Sequence, residues 1–369
     1  MLLFDELINR ADLRIWGMVV LLVVGGCQPA SPKAATANRV DIPARFVPVH
    51  HDTGYFTEIA WPRANSLVVG FAAHPQDPGG SALQIWQLRP DGTEFHQISL
   101  PTDRSCRQTK YRSPTTLHDG RVALVKICGL PPGPGPSATF AIVAYDLDSG
   151  TAREIVKPQD QLNPGPFSFN PKMSRAVVAS GSGICSSIGW LTPDGPQPLA
   201  ITMGTGNRTW RLDEAFEQGP EQDCTNQGRA DLPSWSPDGK EIAFFASPES
   251  IGMSGRDRFR APWELYLMDP VKEQPRKVMS DVSGPSAPIW SPDGRWILFS
   301  ATLKGQGDGT WLFEPATGKL RQITTTAGEA LTWSPDGRRL AGVRSTSPPS
   351  QYPPTTEIVL YDLSSILKS

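Results

Sequence analysis

From about residue 55 onward, apolar and polar positions alternate in short runs, and no stretch keeps the three-and-four spacing of an amphipathic helix. The clearest runs are KEIAFFAS, RWILFSA and RRLAGVRS. They follow three copies of one motif, Trp235-Ser236-Pro237-Asp238-Gly239, Trp290-Ser291-Pro292-Asp293-Gly294 and Trp333-Ser334-Pro335-Asp336-Gly337. Its turn chemistry is specific: Pro presets φ at the first corner, Asp bonds nearby amides, and Gly takes the positive φ that closes a hairpin. Weaker copies precede SRAVVAS, RVALVKI and SLVVGFAA, so the Trp-equivalent position recurs at 61, 116, 169, 235, 290 and 333. A second element follows each copy: LQIWQLRPDGTEFHQISL, FAIVAYDLDSGTAREIV, IGWLTPDGPQPLAIT, WELYLMDPVKEQPRKVM, TWLFEPATGKLRQIT and EIVLYDL. All but the last read strand, tight turn, strand.

Each repeat therefore holds four short antiparallel strands, the content of a propeller blade. The pattern predicts an all-β chain, a six-bladed β-propeller of four-stranded antiparallel blades. The last copy lacks a full fourth strand, and residues 39–48 supply a spare one, so the ring is expected to be closed by an N-terminal strand. Composition agrees. The 34 Gly and 37 Pro exclude a helical bundle, and 38% hydrophobic residues with 11 Trp exclude a disordered chain. Net charge is −2 and Lys and Arg never cluster into a long run, so no nucleic-acid partner is expected.

The first residues read as processing rather than fold. Ile15–Val24 is a ten-residue apolar run behind Arg10 and Arg14, too short to cross a bilayer as a helix. It ends in Val24-Gly25-Gly26-Cys27, which resembles the lipobox of bacterial lipoproteins. The resemblance implies a signal peptide over 1–26 and a diacylglyceryl group on Cys27, giving an anchor of several chains. Residues 27–38 form a lipid-anchored, Ala/Pro/Ser-rich flexible tether, and 39–369 the propeller. Gln28 stands where inner-membrane retention is associated with Asp, which points to the outer membrane, with the domain facing the periplasm.

The Trp-Ser-Pro-Asp-Gly motif, then Lys or Arg, an apolar strand and a Leu-Tyr-x-Met-Asp strand, resembles the TolB-type (WD-repeat-like) propeller repeat. The strong copies cover about 226–369 and degenerate ones extend to about 55. TolB-family proteins carry an α/β domain before the propeller, where this sequence has only a tether. The resemblance implies a fold, not an activity or a partner.

Excluding Cys27, four cysteines remain, which allow three connectivities. In a four-stranded meander, the second-to-third strand loops and the blade-to-blade connections emerge on one face. Cys106 and Cys128 fall there in blade two, and Cys185 and Cys224 around blades three and four. The expected pairs are Cys106–Cys128 and Cys185–Cys224, in an oxidising compartment. No CxxC or HxxxH spacing supports a metal site.

The same topology gathers the long segments 74–81, 129–139, 203–232, 247–262 and 345–355 on that face, where loops of such length usually carry function. The fourth is basic, with Arg256, Arg258 and Arg260 around Phe259. The third is acidic and holds Trp210, Arg211 and Phe216. Arg and aromatics anchor protein interfaces, although the two loops are equally able to pair with each other. Asp238, Asp293 and Asp336 are read as turn residues, and Trp235, Trp290 and Trp333 as packing between blades. No GxSxG elbow, P-loop or dinucleotide fingerprint occurs, so neither an enzyme nor a cofactor is expected.

Three functions follow. The first is a monomeric lipid-anchored module that docks envelope proteins through the long-loop face. The second is a glycan or small-ligand binder at the central channel mouth. The third is a metal-dependent lyase or hydrolase, which needs His and carboxylates at the inner strand ends.

Overall fold

The computed structural model describes residues 38–39, 42–49, 54–73, 83–131, 138–159, 166–180, 186–192, 195–199, 201–205, 208–211, 228–247, 262–326, 330–348, 351 and 354–367. Cys27 and the segment 1–37 lie outside them. The described chain is built from strands in six consecutive repeat units, preceded by β1 (Asn38–Arg39) and β2 (Ala44–Val47). Unit one holds β3 (Gly54–Arg63), β4 (Ser66–Ala73), β5 (Leu83–Leu88) and β6 (His96–Gln97). Unit two holds β7 (Gln108–Thr116), β8 (Val122–Gly129), β9 (Ala138–Asp146) and β10 (Thr151–Gln159). Unit three holds β11 (Phe167–Phe169), β12 (Ala176–Ser180), β13 (Ser187–Thr192) and β14 (Gly195–Pro198). A hairpin, β15 (Thr202–Thr205) with β16 (Arg208–Arg211), separates it from unit four. Unit four holds β17 (Arg229–Trp235), β18 (Ile242–Ser247), β19 (Trp263–Asp269) and β20 (Gln274–Ser283). Unit five holds β21 (Ile289–Trp290), β22 (Ile297–Leu303), β23 (Gly307–Glu314) and β24 (Lys319–Thr324). Unit six holds β25 (Ala330–Trp333), β26 (Arg339–Ser345) and β27 (Thr356–Asp362).

The hydrogen bonding differs from the expected six separate blades. Four units form freestanding four-stranded antiparallel sheets, whereas units four and five share one nine-stranded sheet that also contains β1. The join is local: after two register shifts along β20, Val282 and Ser283 pair with Leu303 and Thr302 of β22. Bulges bend a strand and re-aim its end, so here the outer strand of one unit reaches into the next. The missing strand of unit six is supplied by β2, which pairs antiparallel with β27 from Ala44↔Tyr361 to Val47↔Ile358. The second strand and the last strand in chain order thus share one sheet.

Six apolar clusters hold the units together, one at each junction. Ile85 and Val68 of unit one meet Leu124 and Tyr111 of unit two. Val125 and Ile142 meet Phe169 and Val178 of unit three. Val177 and Ile188 meet Trp235 and Phe244 of unit four. Phe245 and Leu265 meet Trp290 and Phe299 of unit five. Leu298 and Leu312 meet Trp333 and Val359 of unit six. Finally Val343 and Ile358 of unit six meet Trp61 and Phe71 of unit one. The strands carry apolar residues on both faces because both are covered by neighbours. The repeated Trp positions pack between units, as their recurrence predicts.

The turn between the first and second strands repeats its own geometry. Asp293 accepts from the Ser291 hydroxyl at 2.5 Å and the Arg295 amide at 3.0 Å. Asp238 and Asp336 make the matching pairs with Ser236 and Lys240, and with Ser334 and Arg338. Gly294 has φ +72°, and a Cβ there would lie 3.3 Å from the Pro237 ring of the preceding turn. Glycine is therefore required both for its conformation and for the stacking of one turn on the last.

Candidate functional site

The meander gives the ring two unlike faces. On one, the first-to-second and third-to-fourth strand turns are short, and their carboxylates are occupied by the hydroxyls and amides just described. Asp146 and Asp269 cap their own turns in the same way, accepting from Asp148 and Ser149, and from Val271 and Lys272. These bonds hold Asp146, Asp238, Asp269 and Asp336 below the usual carboxylate range, against burial where it opposes ionisation. On the other face the strands β4 and β5, β8 and β9, β18 and β19, and β26 and β27 are joined by long connections. Unit five departs from this, with only residues 304–306 between β22 and β23.

Between the faces runs a channel of about 1190 Å³, lined by the first strand of each unit. Each of these strands presents a free edge to the channel, and prolines blunt five of them: Pro62, Pro114 and Pro233 lie within the strands and Pro166 and Pro288 immediately before them, all on the wall. Several remaining backbone donors bond to hydroxyls of a neighbouring unit. The Trp61 amide donates to Thr116 at 3.1 Å, Trp235 to Ser168 at 3.0 Å, and Phe56 to Thr356 at 2.7 Å. Glu58 takes both the amide (2.7 Å) and the hydroxyl (3.0 Å) of Ser113 across the first junction.

Two positions on the wall strands are strained. Ser113 and Leu232 hold φ +56° and +59°, each just before a proline and within a register shift of its strand. Leu232 donates its amide to Asp231 at 2.7 Å. Burial pushes the Asp231 carboxyl above its ordinary range, against the bonds from Leu232 and Ser186 and the nearby Arg229 charge. None of Glu58, Ser113 or Asp231 was singled out by sequence. For Ser113 and Asp231 the one signal is the X-Pro pair, Ser113-Pro114 and Leu232-Pro233, two to three residues ahead of the Trp-equivalent position, which reads as a strand breaker until the strand is known to be an edge; Glu58 has no such signal.

Asp231 gives a pH-dependent prediction. A raised carboxyl pKa in the fold means that stability is complete below the unfolded value of 3.8 and falls as pH rises through the folded value. Asp231→Asn keeps an oxygen acceptor for Leu232 and removes the buried charge. The variant is expected to equal the parent in chemical denaturation near pH 3 and to be more stable at pH 7. Equal stability at both pH values would refute a desolvated Asp231.

The long-loop face is described at its roots. Cys106, in the connection before β7, and Cys128, near the end of β8, are joined, with Cα atoms 5.1 Å apart. Beside them the buried Lys126 ammonium bonds Asp103 at 2.8 Å and Glu154 at 2.9 Å. Burial opposes the Lys126 charge, but the two carboxylates hold its pKa above the ordinary value. The Lys126 and Ser105 bonds hold Asp103 far below the usual carboxylate range. In unit four, the buried Arg229 guanidinium lies 3.8 Å from the Trp263 ring centre, and the Ser247 hydroxyl donates to Pro262. These contacts hold Arg229, Ser247 and Pro262, which stand beside the segments 212–227 and 248–261 in the sequence.

Of the residues chosen from sequence, Trp210 and Arg211 fall on β16, where register sets them opposite Met203 and Thr202. Met203 is buried in the junction of units three and four. Phe216, Arg256, Arg258, Phe259, Arg260, Cys185 and Cys224 lie outside the described residues. Among the described residues no three His, Cys, Asp or Glu side chains converge as metal ligands. His118 stands at the turn-face mouth of the channel, its pKa lowered chiefly by burial.

No family model matches the chain. It is 33% identical over 110 residues to the Tol-Pal system protein TolB of Francisella tularensis subsp. mediasiatica, covering 29% of this chain and 24% of that protein. In structure it superimposes on TolB from Acinetobacter baumannii with a TM-score of 0.50 at 16% identity, over 82% of this chain and 65% of the other. The fold is that of a TolB-like β-propeller. A segment of 112 residues is also 36% identical to an uncharacterized peptidase, YuxL, of Bacillus subtilis, covering 30% of this chain and 15% of that one. The chain thus spans about a quarter or less of the length of these curated relatives.

Proposed function

We propose that this TolB-like propeller is a lipid-anchored envelope protein, acylated at Cys27 and facing the periplasm from the outer membrane. It docks other envelope proteins through its long-loop face. The observation that carries the reading is the contrast between the faces. Polar groups of the turn face are largely engaged in their own turns, whereas long connections join strands at the opposite face; the reading puts Arg256, Arg258, Phe259, Arg260, Trp210, Arg211 and Phe216 on that face. Similarity to a Tol-Pal system protein supports an envelope role with protein partners. The reading takes the nine-stranded sheet as two fused blades of a six-unit ring, and adds a Cys185–Cys224 bridge on the binding face. It assigns no catalytic residue and a monomer.

The test is affinity capture from native envelope extract with residues 34–369. One variant bait carries Arg256→Ala, Arg258→Ala and Arg260→Ala, and another carries Lys240→Ala on the turn face. A protein retained by the parent and the Lys240 variant, and lost by the triple variant, is the expected result. Equal retention by the triple variant removes these arginines from the site. If no bait retains a protein, the docking reading falls. The channel's volume supports the second reading, a glycan or small ligand at its mouth.

A further inference from the structure

We infer that the turn face is held toward the bilayer and the long-loop face points away from it, an orientation that rests on the lipid-anchor reading above. Strand direction carries the inference. In every unit the second-to-third strand connections mark the long-loop face, so third strands run from that face to the turn face and fourth strands run back. β24 is a fourth strand, and β1 pairs with it in parallel, Asn38↔Arg321 and Arg39↔Gln322. β27 is a third strand, and β2 pairs with it antiparallel. Both N-terminal strands therefore run from the turn face toward the long-loop face. The chain enters the domain from the turn-face side, at the outer rim of units five and six. Two registers on two sheets give the same direction.

The length of chain between Cys27 and Asn38 makes that direction consequential. Taken, as in the lipid-anchor reading, as a random-coil tether, eleven residues have a root-mean-square span of roughly 18 Å, against about 25 Å for a strand of seven or eight residues crossing the domain. Bringing the long-loop face to the lipid would require the tether to double back along the outside of the sheet at close to its maximum reach of about 37 Å. With the turn face toward the lipid the tether stays relaxed. The residues after β27 lie on the same side: β27 runs toward the turn face, and the Leu363 amide bonds the Arg338 carbonyl beside the last Pro-Asp-Gly turn.

The test uses the full-length lipidated protein in phosphatidylethanolamine–phosphatidylglycerol vesicles carrying a headgroup quencher. A fluorophore is placed by Val271→Cys, at a turn-face position 85% exposed, or by Lys304→Cys, whose side chain is 78% exposed in the β22–β23 turn on the other face. The parent with its native cysteines gives the labelling background. Quenching at 271 is expected to exceed that at 304 by about twofold or more. Inserting some 25 Gly/Ser residues in the tether should bring the ratio toward one, because the span then exceeds the domain's thickness. Equal quenching with the native tether, or stronger quenching at 304, overturns the orientation. Failure of the anchor is read separately: if the parent pellets with vesicles no better than Cys27→Ala, the anchor reading falls and takes the orientation with it.

Discussion

Replacing Trp290 by Ala is expected to destabilise the protein by about 3–5 kcal/mol, the range for truncating a large buried aromatic. Trp290 is 8% exposed and packs between Phe245 and Leu265 of unit four and Ile297 of unit five. Its indole N–H donates to the Ser234 carbonyl at 3.2 Å, on the wall strand of the preceding unit. Trp333 repeats the arrangement with Ile289. Trp290→Phe separates the two contributions: it keeps most of the apolar bulk and loses the hydrogen bond, and should cost about 1–2 kcal/mol. Thermal and urea denaturation of the two variants measure this directly. An Ala variant within about 1 kcal/mol of the parent would mean that the junctions do not carry the fold's stability.

Loss of the Cys106–Cys128 link should cost about 3 kcal/mol, from the chain-entropy estimate for a sequence separation of 22. The double variant Cys106→Ser/Cys128→Ser is expected to unfold at correspondingly lower urea, and reductant should bring the parent to the same midpoint while leaving the variant unmoved at this site. The link does not act alone on its segment, because Lys126 ties Asp103 to the same sheet. The Asp103 pKa is lowered by its Lys126 and Ser105 bonds, so the stability it contributes is present above 3.8 and lost as pH falls through the folded value. The double variant should therefore lose the order of residues 101–107 at a higher pH than the parent, as amide exchange would report. A parent that is indifferent to reductant would remove the link from the stability of this unit.

The fold was legible because its repeat is written in residues with few alternative uses. A Pro-Asp-Gly turn after Trp and before an apolar strand fixes strand, turn and register together, and the Trp positions mark the unit junctions. The spare strand at residues 44–47 was legible from a count of strands. The joining of units four and five was not, because it depends on register shifts within β20, where the local sequence still reads as one strand. The channel wall was hidden for a related reason. Ser113-Pro114 and Leu232-Pro233 look like interruptions, and only the ring shows that proline there blunts an edge that has no partner. Asp231 likewise reads as an ordinary loop carboxylate until the neighbouring Ser186 and Leu232 enclose it. The chosen binding residues were picked for type and loop length alone. On β16, register places Trp210 across from the buried Met203, a relation that no composition argument contains.

The pairing of β2 with β27 also sets a clock. These strands are separated by almost the whole domain, so the ring cannot close until residues 356–362 have emerged. Loop-closure entropy grows slowly with length and makes such a contact tolerable at equilibrium. During synthesis, however, β2 waits with an open edge while every unit between it and its partner is still arriving. A chain stopped a dozen residues early would keep its first five units and their turns, yet would leave two unpaired edges facing each other across the gap.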